Sequence, residues 1–251
     1  MVSTDGRSLT LEQSERTNGD GKQVRNHILL SIPDEEYRLL RPHLKLVNLP
    51  HHRSLHEPNE KLNSIYFPNG ALVSLVVPTR EGKTVEVGVV GNEGLVGMPA
   101  TVGLDRSPHR AVVQIGGPGF QIRVDTLRQL LPSTPQLQLA ANRFAVIQGM
   151  QAAQTAACNR LHGIGQRLSR WLLIMQDRLD LPVLKITHDF LATMLGTDRP
   201  SVSLATGILQ RKSLIQCNRG AVRILDRKGL ESAACECYGV IQQFNGTLRL
   251  K

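Results

Sequence analysis

The sequence predicts an α+β fold in three parts: an N-terminal antiparallel β-roll of jelly-roll type, one long helix, and a C-terminal winged helix–turn–helix. Three observations carry this. Short apolar segments between residues 44 and 124 are separated by turn signals, the pattern of antiparallel rolls and barrels. Residues 136–159 then run without proline and with a single glycine. Residues 186–225 hold two short helix patterns and a hairpin.

The size and composition fit that outline. The chain has 251 residues, 41% apolar and 20% charged, enough to bury a core in one large or two small domains. Its longest apolar runs, such as Ala71–Val77, fall short of the roughly 18–20 residues of a membrane span. No basic-then-apolar leader is seen, and four cysteines are too few for a disulfide scaffold. The expectation is a cytoplasmic protein with no membrane partner.

Residues 1–26 are polar, without periodicity, and read as a disordered tail. The β-roll is expected over 27–135. Leu44–Leu49 is its first strand candidate. Ser64–Phe67 follows, closed by the turn Pro68-Asn69-Gly70. Ala71–Val77 and Lys83–Val90 flank a hairpin-type turn at Thr79–Gly82. In the second of these, Val85, Val87 and Val89 alternate with Thr84, Glu86 and Gly88, hence a half-buried strand. Ala111–Ile115 and Phe120–Val124 add two more, separated by Gly116-Gly-Pro-Gly119.

A helix is expected over 136–160. Leu137, Ala140, Ala141, Phe144, Ile147 and Met150 recur at steps of three and four. At 1.5 Å per residue such a helix is about 36 Å long, too long for one small domain to cover. A partner helix would cover the rest, which makes this the expected dimerisation element. A second helix, about Gly165–Leu179, opens the winged domain expected over 161–229. Residues 230–251 are a C-terminal tail.

Within that domain, Thr187 can cap a helix whose apolar face is Phe190, Leu191 and Leu195. Gly196 stands where a tight interhelical turn needs a residue without Cβ. Asp198 can cap a second helix, with Pro200 in its first turn. Val202, Ala205, Ile208 and Leu209 form its expected buried face. Arg199, Ser201 and Ser203 form its exposed N-terminal face. Leu214–Cys217 and Ala221–Leu225 flank Asn218-Arg219-Gly220 as a wing hairpin. Arg211, Lys212, Arg219 and Arg223 surround it, within reach of phosphates.

The charge is concentrated in the same segment. The chain carries +9, and residues 159–228 hold 12 basic against 5 acidic residues. A localised positive segment attracts polyanions through counterion release.

In this order of elements the sequence resembles the Crp/Fnr (catabolite-activator-like) bacterial transcription regulators. The matching stretches are Thr187-His-Asp-Phe-Leu-Ala-Thr-Met-Leu-Gly196, Asp198-Arg-Pro-Ser-Val-Ser203, Leu214-Ile215 and Ile224-Leu-Asp-Arg227. In the sensor half they are Ile65-Tyr-Phe-Pro68, Glu86-Val-Gly88 and Glu93-Gly-Leu-Val-Gly97. The resemblance covers residues 30–229. It implies a cyclic-nucleotide-binding-like β-roll and a homodimer paired through the long helix. It further implies an inverted-repeat operator in double-stranded DNA read by a recognition helix at about 198–210, with RNA polymerase as a further partner. Arg199 matches the guanine-reading arginine. Pro200 and Leu204 depart from the glutamate and arginine common in the family. Thr187, Ser201, Ser203, Arg211, Lys212 and Arg219 complete the expected DNA contacts.

Effector binding is implied at Gly97, Met98, Arg106 and Ser107. A methionine cannot accept a ribose hydroxyl as the family's glutamate does. The usual cyclic AMP response is therefore the alternative reading, and no cofactor is assigned. Cys158 and Cys217 read as packed thiols. Cys235 and Cys237 are too close for a Cys-x-x-Cys knuckle, so no metal ligand is assigned. His51, His52, His56 and Glu57 read as a solvated loop. A metal-dependent β-roll enzyme is the rival from another class, and the expectation is that the protein is not an enzyme.

Overall fold

The computed structural model describes residues 16–79, 84–179, 181 and 183–247. Two short helices, α1 (His27–Ser31) and α2 (Asp34–Leu40), precede the strands. Strands β1 (Lys45–Leu49), β2 (Ser54–His56), β3 (Ser64–Pro68), β4 (Leu72–Pro78), β5 (Thr84–Val90), β6 (Arg110–Ile115) and β7 (Gly117–Arg123) follow. They form two sheets, ordered β1-β7-β3 and β2-β6-β4-β5. Both β1 and β3 pair antiparallel with β7, with Leu46 and Phe67 each opposite Phe120. Phe67, Phe120, Ile65 and Ile122 are essentially inaccessible and form the centre of this core.

Helices α3 (Val124–Leu130) and α4 (Pro135–Leu161) lead out of the strands. The C-terminal half is α5 (Ile164–Leu179), β8 (Val183–Leu184), α6 (His188–Leu195), α7 (Arg199–Arg211), β9 (Ile215–Asn218), β10 (Ala221–Ile224), α8 (Arg227–Ala233) and α9 (Cys237–Thr247). The chain divides into two compact units. One comprises the residues up to Val73 with Val90–Val146, the other Ser74–Val89 with Ile147–Thr247.

Several elements differ from expectation. Residues 1–15 lie outside the described residues, but 16–26 are not a loose tail. Arg16 is buried and bonds Leu29 O and Asp34 Oδ1 at 2.7 and 2.5 Å. Asn26 is fully buried, caps α1, and donates to Pro68 O and Gly94 O at 3.1 and 2.8 Å. Buried amide and guanidinium groups, rather than an apolar pattern, hold this segment. The hairpin tip at 80–83 falls among the residues not described.

His56 lies in β2 and is buried, which pushes its imidazole pKa down. Glu57 pairs with Arg110 at 2.7 Å. The expected solvated loop is thus partly strand. β7 starts at Gly117, inside the predicted break, because its glycines permit close approach. A Cβ on Gly117 would lie 2.6 Å from Gly70 O. In β5 the alternation does not map onto burial: Val85 is 37% exposed and Val89 8%. The C-terminal tail is two helices, held to α5 by Arg227, which bonds Asp177 Oδ1 and Tyr238 Oη at 2.7 Å.

Helix α4 begins where Glu36 caps it. The two Glu36 carboxylate oxygens accept from Gln136 N and Leu137 N, each at 2.9 Å. Those N–H groups have no partner within the helix. Leu137, Ala141, Phe144 and Ile147 are buried as expected. Phe144 lies over Gly94, where a Cβ would come within 2.0 Å of the ring. Met150, placed on that face in the sequence reading, is 44% exposed instead. It belongs with Leu139, Val146 and Leu161, 39%, 61% and 74% exposed, on a second apolar stripe.

Candidate nucleic-acid interface

Local capping builds the helix–turn–helix. Thr187 Oγ1 accepts from Phe190 N at 3.2 Å and starts α6. Gly196 ends it at φ +58°, a left-handed conformation that suits glycine. Asp198 then accepts from Ser201 N and Ser201 Oγ at 2.7 and 3.0 Å and starts α7. These bonds hold its carboxyl below the usual range. Pro200 sits in the first turn, where its missing N–H costs nothing.

Burial of Val202, Ala205 and Leu209 follows the sequence reading. Ile208 does not: it is 40% exposed, and Thr206 takes the buried place, bonded to Val202 O at 2.9 Å. The exposed face of α7 therefore presents Arg199, Pro200, Ser203, Leu204 and Ile208, with Ser201 half-buried. Leu204 is 64% exposed, so this face mixes polar groups with an apolar pair one turn apart.

Two contacts on this face were not legible in sequence. Arg199 Nε lies 3.6 Å from Asp189 Oδ1. His188 Nδ1 lies 3.0 Å from Ser203 Oγ, with its Nε2 3.4 Å from Thr206 Oγ1. Both partners stand in the first turn of α6, ahead of its apolar residues Phe190 and Leu191.

The wing is a two-residue hairpin with Asn218 opposite Ala221 and Gly220 at φ +68°. Its third strand, β8, pairs with β10 and was not expected, being only two residues long. Gln210 Oε1 accepts from Cys217 N at 2.8 Å and ties the wing to α7. Arg211, Lys212, Arg219 and Arg223 are all exposed around it. Thr187, at the start of α6, is exposed too.

The implied effector residues do not converge in the same way. Gly97, at φ +97°, leads into a 3-10 turn over Met98–Val102. Arg106 is exposed and donates to Asn59 O. Ser107 is buried, and its Oγ accepts from His109 N at 3.2 Å. A cavity lies instead within the second unit, lined among others by Glu86, Gln148, Gln151, Arg170, Trp171 and Arg178. There the Glu86 carboxylate accepts from Ser74 Oγ at 2.5 Å and Trp171 Nε1 at 3.2 Å. Burial nonetheless pushes its pKa up to about 7.

Cys158 is a fully buried, packed thiol as expected, and Cys217 is a half-buried wing thiol. Cys158, Cys235 and Cys237 are gathered into one buried cluster, joined by His162, which stands in no recognisable motif.

Comparison with known proteins agrees with this geometry. A family model for the Crp-like helix-turn-helix domain matches residues 166–233. The transcriptional regulator SdrP of Thermus thermophilus is 26% identical over 174 residues, 65% of this chain and 80% of that protein. FixK2 from Bradyrhizobium japonicum is similar in structure at a TM-score of 0.67 and 12% identity, over 76% of this chain and 98% of its own. The c-di-GMP-responsive global regulator CLP of Xanthomonas campestris gives 0.64 and 16%, over 76% and 99%. The structural likenesses speak for the fold, and the domain match for the helix–turn–helix within it. This family consists of transcription regulators rather than enzymes. With a β-roll, a long helix and a winged helix–turn–helix, the chain carries a Crp-like helix-turn-helix domain over residues 166–233 and is similar to the Crp/Fnr family of DNA-binding transcription regulators.

Proposed function

We propose that the protein acts as a homodimer that reads an inverted-repeat operator through α7. The observation that carries this is the exposed face of α7, which offers Arg199, Ser203 and Leu204 beside a ring of wing cations. A recognition helix presents its N-terminal residues to base edges in the major groove. Arg199 is suited to a bidentate bond with guanine O6 and N7, and Leu204 to a thymine methyl. Thr187, Ser201, Arg211, Lys212 and Arg219 contact phosphates and fix the register. Pro200 has no group that donates to or accepts from a base, so the operator departs from the family's usual one.

The second apolar stripe of α4 supports pairing with a second copy. Leu139, Val146 and Met150 follow steps of seven and four, the spacing of a two-helix seam. The two recognition helices then meet half-sites about 34–36 Å apart. The bound dimer regulates by recruiting or obstructing RNA polymerase, in the cytoplasm where its DNA lies. Modulation by a ligand at the β-roll belongs to this reading. Met98 in place of a carboxylate, and Arg106 engaged with Asn59 O, favour a ligand other than cyclic AMP held in the family's usual way.

Selection of bound sites from a randomised duplex library, with no effector added, tests the reading. Enrichment of an inverted repeat is the expected result. Unselective, salt-sensitive binding that persists with added cyclic nucleotides would reject it.

A further inference from the structure

Four side chains distant in sequence converge at the end of α4. Cys158 and His162 are four residues apart, and His162 N donates to Cys158 O at 3.0 Å, so helical geometry sets them on one face. Cys235 lies between α8 and α9, and Cys237 opens α9. Their ligand atoms all lie within 4.8 Å of one another. Cys158 Sγ is 3.5 Å from Cys235 Sγ, and Cys237 Sγ is 3.6 Å from His162 Nδ1. A tetrahedral ion about 2.3 Å from sulfur and about 2.0–2.1 Å from nitrogen spaces its ligands by roughly 3.5–3.8 Å.

We propose that the protein binds one zinc ion in a closed Cys3His site made of Cys158, His162, Cys235 and Cys237. The donor set is right: thiolates and imidazole in a tetrahedron select zinc among common divalent ions. The three cysteines are at most 4% exposed. The surroundings fit as well. His162 Nε2 lies 3.1 Å from Glu236 Oε1, which fixes the tautomer that leaves Nδ1 free for a metal. Gln154 Nε2 donates to Cys237 Sγ at 3.0 Å, a bond that supports a thiolate.

Three thiolates and a neutral imidazole leave the zinc site with one negative charge, which the Arg170 guanidinium beside Cys158 offsets. Three thiol protons leave for each ion bound. The spacing suits one ion, whereas the bridging sulfides of an iron–sulfur cluster would hold the thiolates farther apart. All four positions are filled by protein, so the site is structural. It fastens the segment between α8 and α9 to the end of α4, beside the break at residues 162–163 that leads into the winged domain.

The test uses the full chain, stripped with chelator under reductant and then exposed to zinc or to cobalt(II). The expected result is about one equivalent of zinc per chain. Cobalt should give thiolate charge-transfer and tetrahedral d–d absorption. Cys217→Ser should bind fully. Cys235→Ser should lose the cobalt spectrum, and Cys237→His should keep a tetrahedral but shifted one. A reduced wild-type chain that takes up no zinc, or cobalt bound without thiolate charge transfer, overturns the proposal. So does iron with acid-labile sulfide in place of zinc, or a folded Cys235→Ser variant with undiminished binding. The wild-type titration decides even where Cys235→Ser fails to fold.

Discussion

Arg199 is held toward Asp189 at 3.6 Å, across the turn of the helix–turn–helix, with both side chains about two-thirds exposed. A pair so exposed contributes about 0–1 kcal/mol, so DNA can displace it at little cost. Arg199→Ala is expected to lose about 1–3 kcal/mol of operator-over-random discrimination per half-site. Asp189→Asn should shift discrimination by under about 1 kcal/mol. It should tighten binding to every duplex, since it removes a negative charge near phosphate. Competition binding with operator and scrambled duplexes measures both, and an Arg199→Ala protein with undiminished selectivity would mean that another face docks.

The wing makes a different kind of contact. Arg219 is exposed at the hairpin tip, beside Gly220, and a phosphate contact is the role expected of it. Arg219→Ala should weaken operator and random duplex alike. It should also reduce the slope of log affinity against log salt by about 0.9 per subunit. A loss confined to the operator would place Arg219 in base readout instead.

How much of this could be read beforehand depends on how local the encoding is. Thr187, Gly196 and Asp198 act on residues within a turn of themselves, so the caps and the turn of the helix–turn–helix were legible, though not the exchange of Ile208 for Thr206 on its buried face. Most strands were legible from alternation and turns. β2 was not, because three residues ending in a buried histidine carry no period. The ordered segment at 16–26 escaped because its anchors are polar, and the Asn26 partners stand 42 and 68 residues away. The zinc ligands escaped for the same reason. Cys158 and Cys235 are 77 residues apart, and only the packed fold makes them neighbours. The exposed apolar stripe on α4 was mixed with the buried one, since steps of three and four fit both faces of a helix.

Val146 lies in the middle of the exposed stripe, between Leu139 and Met150. It is 61% exposed, four residues before Met150. In a two-fold pair of α4 helices, Val146→Glu puts two carboxylates close together in an apolar seam. Dimerisation should weaken about a hundredfold, roughly 3 kcal/mol. Sedimentation equilibrium reads this directly. An unchanged dimer would place the interface away from this stripe.

The cap on α4 is a second fixed point. Glu36 takes both Gln136 N and Leu137 N at 2.9 Å. Glu36→Gln keeps one acceptor oxygen, turns the other into a donor, and removes a charge favourable at a helix N-terminus. It should cost about 0.5–2 kcal/mol of stability. Urea unfolding at neutral pH checks this, and a variant as stable as wild type would show that water replaces the carboxylate at no cost.

Glu86 links stability to pH in the direction opposite to a surface carboxylate. Burial drives its pKa from 4.5 to about 7, against the pull of Ser74, Trp171, Arg178 and Arg170. The folded state therefore holds this proton longer than the unfolded state does. The contribution is complete below about pH 4.5, is lost as pH rises toward 7, and is flat above that. The full shift corresponds to about 3 kcal/mol, and less to the extent that water reaches this half-buried residue. Glu86→Gln does not titrate; its amide oxygen can still accept from Trp171 Nε1 while its NH2 donates to the Ser74 hydroxyl, which can also accept. The stability of Glu86→Gln relative to wild type should thus rise between pH 5 and pH 8 and then level off. Thermal unfolding of both proteins across that range measures the difference. A flat difference would mean that Glu86 ionises in the folded protein as readily as in the unfolded chain, through solvent or through Arg170 and Arg178.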